Sequence, residues 1–204
     1  MNEIILIGGG GFSAEVAEVA EQNNYKVIGY VDSEKTSSCL KYLGKFSEII
    51  TQIDASVYFF PAFGAIDRKT IRSRSQNLSE YAQLNIPSLV SPYAIVSKNV
   101  KIGKGVFIAH GVILNSEASI GDFSIINSSS VIGHNVTLKN NVVISGNVFV
   151  GVACRVGERT LVGPGALILQ SLNIGSDVII SIGSVVCKDI PNKKTVIPSV
   201  SKVI

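Results

Sequence analysis

Cut into blocks of six, the stretch Val96–Val143 reads VSKNVK IGKGVF IAHGVI LNSEAS IGDFSI INSSSV IGHNVT LKNNVV. The first letter of every block is aliphatic. The rule continues through Ile144, Val150, Val156, Val162, Ile168, Ile174, Ile180 and Val186 without a break. Gly follows that residue at 103, 121, 133, 151, 157, 163 and 175, and the fourth residue after the aliphatic one is small or β-branched in most turns, as at Val100, Val106, Ala118, Ser130, Val142 and Thr160. A helix of 3.6 residues per turn loses a six-residue phase within a few turns, and simple strand alternation does not single out one position in six. A β-solenoid does both: each hexapeptide forms one flat rung with one aliphatic side chain pointing inward, and coils stack through backbone hydrogen bonds.

Upstream of the repeat the pattern is different. Ile4 to Ile7 is a short apolar run that ends in Gly8-Gly9-Gly10-Gly11. There follows SAEVAEVAEQNN, which places Val16, Val19 and Ala20 on one helical face with Ser13 as its N-cap. Lys26 to Asp32 and Val57 to Phe60 read as two further strands, and the polar stretch from Gly64 to Ala82 as a helix. Strands alternating with helices predict a parallel sheet. The expected organisation is a small Rossmann-like α/β domain over residues 1–88, an all-β solenoid over 89–191 and a tail over 192–204.

Composition narrows the function. The 204 residues are 46% hydrophobic and 16% charged, which suits a packed chain and not a disordered one. A net charge of +3, with no basic run longer than Lys193-Lys194, argues against a nucleic-acid partner. Apolar runs broken by Gly, Ser and Asn argue against a membrane span, and the start MNEIILIGGGG lacks the basic segment of a signal peptide. Cys39, Cys154 and Cys187 form no CxxC pair, which points to a reducing, cytoplasmic setting. Two histidines, His110 and His134, cannot supply a three-histidine zinc site, so no metal is expected.

The hexapeptide repeat, the glycine loop, the strand ending in Asp32 and the passage IINSSSVIGHNV (Ile125 to Val136) together resemble the hexapeptide-repeat sugar acyltransferases of the sialic acid O-acetyltransferase and UDP-4-amino-sugar N-acetyltransferase type, the PglD/NeuD-like group. The resemblance covers almost the whole chain and implies a triangular left-handed β-helix of eighteen residues per turn. It also implies acetyl-CoA as co-substrate, a nucleotide-sugar substrate bound by the α/β domain, and a homotrimer with shared active-site grooves. The family's base histidine lies seven residues after an asparagine, a spacing kept by Asn127 and His134. Departures are plain. Asn135 stands where relatives carry an acid beside the base, Phe12 and Val143 stand where they carry further histidines, and the closing motif reads PSVSK from Pro198 to Lys202.

His134 is therefore the expected general base, since imidazole titrates near neutrality and its place two residues after the inward Ile132 turns it outward. Asn135 is expected to hold the ring. Glu117, eighteen residues before Asn135, is expected beneath it as the missing carboxylate; a solvated surface glutamate is the competing account. His110 reads as a surface or interface residue. Gly8, Gly10, Gly11, Phe12 and Ser13 form a phosphate-type glycine loop at a helix start, with Asp32 and Gly64 completing the substrate side. For acetyl-CoA the resemblance suggests Gly146, Gly163, Gly165, Gly183 and Lys202; the bland account of the glycines is the solenoid corner. Val112, Val131 and Val143, off the inward register, are expected at the trimer contact. The activity expected is N-acylation of a nucleotide-linked amino sugar in bacterial surface-glycan biosynthesis. The alternatives are a sugar O-acetyltransferase and a catalytically impaired binding or scaffold solenoid.

Overall fold

The computed structural model describes residues 1–198 except 55 and 82. Its first part is a four-stranded parallel sheet built from β1 (Asn2–Ile7), β2 (Tyr25–Val31), β3 (Tyr42–Gly44) and β4 (Tyr58–Pro61) in the order β3-β2-β1-β4. The helices are α1 (Phe12–Gln22), α2 (Phe46–Ile49) and α3 (Arg68–Glu80). The short β3 and α2 carry no periodicity of their own and were not legible in the sequence. Helix α1 begins two residues earlier than a Ser13 N-cap would place it. Gly11 occupies the N-cap without a side-chain bond, and the Ser13 hydroxyl turns back to the Gly10 carbonyl at 2.7 Å.

From β5 (Leu89–Val90) to β22 (Thr195–Val196) the chain forms eighteen two-residue strands in three flat walls of seven, six and five strands. Ile125 pairs with Val143 and Val143 with Leu161, so one coil is 143 − 125 = 18 residues. This is the left-handed β-helix that the resemblance implies. The solenoid does not stop at residue 191. Ile179 pairs with Thr195, a step of 195 − 179 = 16, so the last coil sheds two residues, breaks the six-residue phase, and still adds a strand.

Fourteen of the sixteen inward aliphatics are buried; the two that are only half covered, Val96 and Ile102, lie in the first coil, which has no neighbour beneath. The fourth residue after each is also interior. At Ser124, Ser130 and Thr160 the hydroxyl is satisfied across coils, while the buried Ser184 hydroxyl has no partner among the described residues. Ser130 donates to the Ser145 carbonyl at 2.8 Å and accepts from the Val148 N–H at 3.1 Å, and Thr160 bridges Gly175 and Val178 likewise. The glycine after the inward residue is required by stacking: a Cβ on Gly163 would lie 2.7 Å from the Ile182 nitrogen. The third residue after the inward one takes the left-handed conformation at every corner from Gly105 to Gly183, with φ between 54° and 70°, whether it is Gly, Asn, Ser, Glu, Phe or Arg.

The three walls differ on their outer faces. The first wall presents Phe107, Ile125 and Val143, all buried against the α/β domain, where the Phe12 ring meets Phe107 edge-on at 5.0 Å. The third presents Lys101, Ser119, Thr137, Arg155 and Asn173. The second presents Ile95, Ile113, Val131, Phe149, Leu167 and Val185, an apolar column of which Ile95, Phe149, Leu167 and Val185 remain exposed. Helix α3 is bound to the corner between the third and first walls. The buried Arg74 donates to Asn141 and to the Phe63 carbonyl, and Asp177 accepts from Arg159 Nε and Nη2 at 3.1 and 3.0 Å and from Arg72 Nε at 3.4 Å.

Candidate active site

His134 lies at the corner that follows the second wall, exposed, as its place after Ile132 requires. Asn135 sits in the left-handed corner conformation at φ 58°, which swings its side chain back to the ring. Its Oδ1 lies 2.7 Å from the His134 Nδ1. An amide oxygen only accepts, so Nδ1 carries the hydrogen and Nε2 is left with a free lone pair facing solvent. In the neutral imidazole that is the tautomer a general base needs.

Glu117 does not fill the role expected of it. Coil stacking is as predicted, with the Asn135 N–H on the Ser116 carbonyl at 3.0 Å, but the Glu117 carboxylate accepts from Asn99 Nδ2 at 2.9 Å, one coil further from His134. An amide donor directly beneath competes for the carboxylate, and the His134 Nδ1 is already engaged by Asn135.

Two of the concavities that open on the α/β domain border predicted site residues. The first, about 610 Å³, lies at the carboxyl ends of β1 and β2 and is lined by Gly8, Asp32, Ser33, Lys45, Phe63, Asn77 and Tyr81 among others. The second, about 660 Å³, lies between α1 and the corner joining the first and second walls, lined by Phe12, Glu15, Gly64, Ile66, Asn127, Ser128, Ser145, Gly146 and Pro164 among others. The two share their loops: Gly8 and Phe63 face one, Phe12 and Gly64 the other.

Within this frame the predicted substrate residues separate. Asp32 accepts from the Gly9 N–H at 3.0 Å and from the Ser33 N–H at 2.7 Å, so it holds the glycine loop shut against β2 while its carboxylate borders the first pocket. Gly10 and Gly11 have open space where a Cβ would be, which leaves their backbone accessible. Ser13 is buried, bonded to Gly10 and 3.5 Å from Ser38, and cannot reach a ligand; it is a brace of the loop. Asn127 faces the cleft, at the opposite end of the second-wall rung from His134, so a single chain does not bring the two together.

The glycines proposed for acetyl-CoA also separate. Gly146, Gly165 and Gly183 lie on the corner between the first and second walls. Gly165 and Gly183 have nothing within 4 Å of a would-be Cβ, and Gly146 only the Ser128 carbonyl at 3.4 Å. They form a bare strip. Gly163 is buried beneath the next coil and is removed from the set, because its missing Cβ serves stacking. Lys202 lies outside the described residues. His110 is half-buried at the junction with α1, its Nδ1 2.6 Å from Ser91 Oγ and its Nε2 3.4 Å from Glu18. Among the described residues no group of three His, Cys, Asp or Glu could hold a metal ion.

Residues 3–77 match the family model described as the PglD N-terminal domain. Residues 76–179, half of the chain, match that described as the GMPPB C-terminal domain, and the solenoid belongs to that family. The chain belongs to the PglD/NeuD-like sugar acyltransferases. Among solved structures it is similar to a histidine-to-asparagine mutant of perosamine N-acetyltransferase from Caulobacter crescentus in complex with CoA and GDP-perosamine, at 26% identity over 96% of this chain and 93% of that one, TM-score 0.86. PerB from the same organism, in complex with CoA and GDP-perosamine, matches at 27% over 94% and 92%, TM-score 0.83. The acetyltransferase domain of PglB from Neisseria gonorrhoeae shares the fold at 24% identity over 96% of each chain, TM-score 0.85. No curated protein matches the chain.

Glu15 was missed by the sequence reading of this acyltransferase. The available signal was its place on α1 next to the buried Val16 and Val19, on the stripe that also carries Glu18.

Proposed function

We propose that this acyltransferase transfers an acetyl group from acetyl-CoA to the amine of a nucleotide-linked amino sugar, in bacterial surface-glycan biosynthesis and in the cytoplasm. The observation that carries the reading is the exposed His134 ring, held through Nδ1 by Asn135 with Nε2 free. It is supported by solved relatives above 25% identity, a perosamine N-acetyltransferase mutant and PerB, each in complex with CoA and GDP-perosamine. In the reaction His134 Nε2 takes the proton released by the amine as the amide bond forms, and returns it to the departing thiolate as the carbon–sulfur bond breaks. A corner N–H of a neighbouring coil stabilises the oxyanion between these steps.

The residues present suit both substrates. The pocket bordered by Asp32, Lys45 and Asn77 offers a carboxylate, an ammonium and an amide to a nucleotide, and the glycine loop lies between it and the cleft. Lys188 follows the inward Val186 as His134 follows Ile132, three rungs further along the same wall, and offers an ammonium to a phosphate of the co-substrate.

Homotrimerisation belongs to this proposal, with a corrected contact surface. Val112 is interior and Val143 is covered by the α/β domain, so only Val131 of the three predicted contact residues remains available. The apolar outer column of the second wall takes their place. The His134 corner and the cleft flank this wall on opposite sides, and a closed ring of three packed through it sets one chain's histidine beside the next chain's cleft. The test of the activity is mass spectrometry of products after mixing the protein with acetyl-CoA and a panel comprising GDP-perosamine and UDP- and dTDP-4-amino-sugars. A product heavier by one acetyl group, blocked when the sugar amine is replaced by hydroxyl, is expected. Acetylation of the hydroxyl sugars instead establishes the O-acetyltransferase.

A further inference from the structure

Glu15 is the one ionisable side chain among the described residues lining the 660 Å³ cleft. The remainder of the lining is apolar, as at Phe12, Ile66, Ile125, Val143 and Pro164, or carries neutral amide and hydroxyl groups. Its carboxylate is half-buried and weakly engaged, with only the Ser128 hydroxyl on Oε1 at 3.5 Å. A carboxylate with most of its hydrogen-bonding capacity unused, facing an apolar-walled cleft, selects a cation. The cleft is reached from the nucleotide pocket over the glycine loop and the Phe63-Gly64 turn, the two loops that border both spaces. A nucleotide held beside Asp32 thus directs its sugar toward Glu15. At neutral pH an amino sugar arrives largely as an ammonium, and a hydroxyl sugar carries no charge.

Resting on the functional reading above, we propose that Glu15 is the specificity-determining residue of the acceptor site: it binds the acceptor's ammonium in the cleft and selects amines over hydroxyls. It also supplies the carboxylate that Asn135 cannot, from the acceptor side of the site instead of from Glu117. The ammonium docks on Glu15 through N–H···O⁻ bonds. After loss of one proton to solvent the neutral amine attacks, and its second proton goes to His134, so that charge and protons balance across the step.

The experiment compares wild type, Glu15→Gln and Glu15→Asp with acetyl-CoA and whichever panel member the wild type acetylates. Gln keeps the shape and removes the charge. Loss of a charge-assisted contact predicts an acceptor KM raised about tenfold to hundredfold, with acetyl-CoA KM within twofold of wild type and partial recovery in Glu15→Asp. Competition by the hydroxyl counterpart of the same nucleotide sugar adds a readout independent of turnover: the wild type prefers the amine, and Glu15→Gln loses the preference. An unchanged acceptor KM and an unchanged preference overturn the assignment, including the case in which Glu15→Gln only lowers the melting temperature, as a first-turn acid of α1 serving the helix dipole would. A wild type that acetylates no panel member overturns the functional reading and this assignment together. An active wild type with an indifferent Glu15→Gln overturns this assignment alone.

Discussion

His134 stands out in the sequence because two facts converge on it, its spacing from Asn127 and its outward place in the rung. The structure adds Asn135, which in the left-handed corner conformation meets the ring's Nδ1 and, under the proposal that His134 is the base, fixes its tautomer. Removing the base while leaving a well-stacked corner should cost turnover and not folding. His134→Ala is expected to lower kcat by about a hundredfold or more, with an unchanged circular dichroism spectrum. A variant at near-wild-type rate removes His134 from the mechanism. Glu117 shows where residue-level reading stops. Coil arithmetic gives the position of a backbone, and it placed residue 117 correctly under 135; it does not give side-chain direction, which was decided by Asn99 one coil below. Ser13 failed for a related reason, since a hydroxyl near a helix start has two partners within reach and it took the Gly10 carbonyl.

At the scale of the rung, the inward aliphatic and the small residue four places on were legible because packing inside a narrow coil admits few sizes. The left-handed corner was not, because residues as different as Glu117, Phe123, Asn141 and Arg159 occupy it. There the conformation is imposed by the stacked ladder, which offsets a local cost of about 1 kcal/mol for each non-glycine residue. The two kinds of solenoid glycine therefore answer differently to substitution. Gly163→Ala must push the Cβ into the Ile182 nitrogen and the Ile180 carbonyl, at 2.7 and 2.8 Å, and is expected to cost about 1–3 kcal/mol. Gly165→Asn places into open space a residue that already stands at the same corner one coil earlier, Asn147, and should change stability by less than about 1 kcal/mol. Denaturant midpoints of the two variants decide it; equal losses would mean that stacking is not what reserves residue 163 for glycine.

Across the whole molecule, the α/β domain is fastened to the solenoid by charge as well as by the Phe12–Phe107 contact. Burial pushes the Arg74 guanidinium down to about 9, still protonated at neutral pH, and its bonds to Asn141 and Phe63 tie α3, the solenoid corner and the substrate loop together. Asp177 is held below the usual carboxylate range, first by its hydrogen bonds from Arg159 and then by the nearby charges of Arg159 and Arg72. Because the folded value is the lower one, its contribution is fully present above the ordinary carboxylate value and is lost as pH falls through the folded value. Asp177→Asn is thus expected to destabilise by about 2 kcal/mol at pH 7 and by progressively less as acid protonates the folded carboxylate. A loss that does not shrink with acid would assign the effect to packing. None of this network was legible in sequence, since it joins residues 68–80 to residues 141–177 across a packing that no local pattern encodes.

The outer faces of the walls carry the last prediction. A solenoid alone has no reason to differ among its three sides, yet the first is apolar and covered by the α/β domain, the third is polar, and the second is apolar and bare. Column residues Phe149, Leu167 and Val185 are 44%, 46% and 63% exposed, so a charge placed there disturbs neither the inward core nor the coil stacking. If three chains close through this wall, Leu167→Glu buries an unpaired carboxylate at each contact and should dissociate the assembly, a cost well beyond about 1 kcal/mol per subunit. Sedimentation equilibrium is expected to give three times the 21.6 kDa chain mass for wild type and a single chain mass for Leu167→Glu. Thr137→Glu, on the polar third wall, should leave the assembly intact. Turnover of Leu167→Glu should fall at least about tenfold, because separation leaves each His134 without the cleft that faces it. A wild type sedimenting as one chain, or a monomeric variant that retains full turnover, would show that the acceptor and its base are brought together within one subunit.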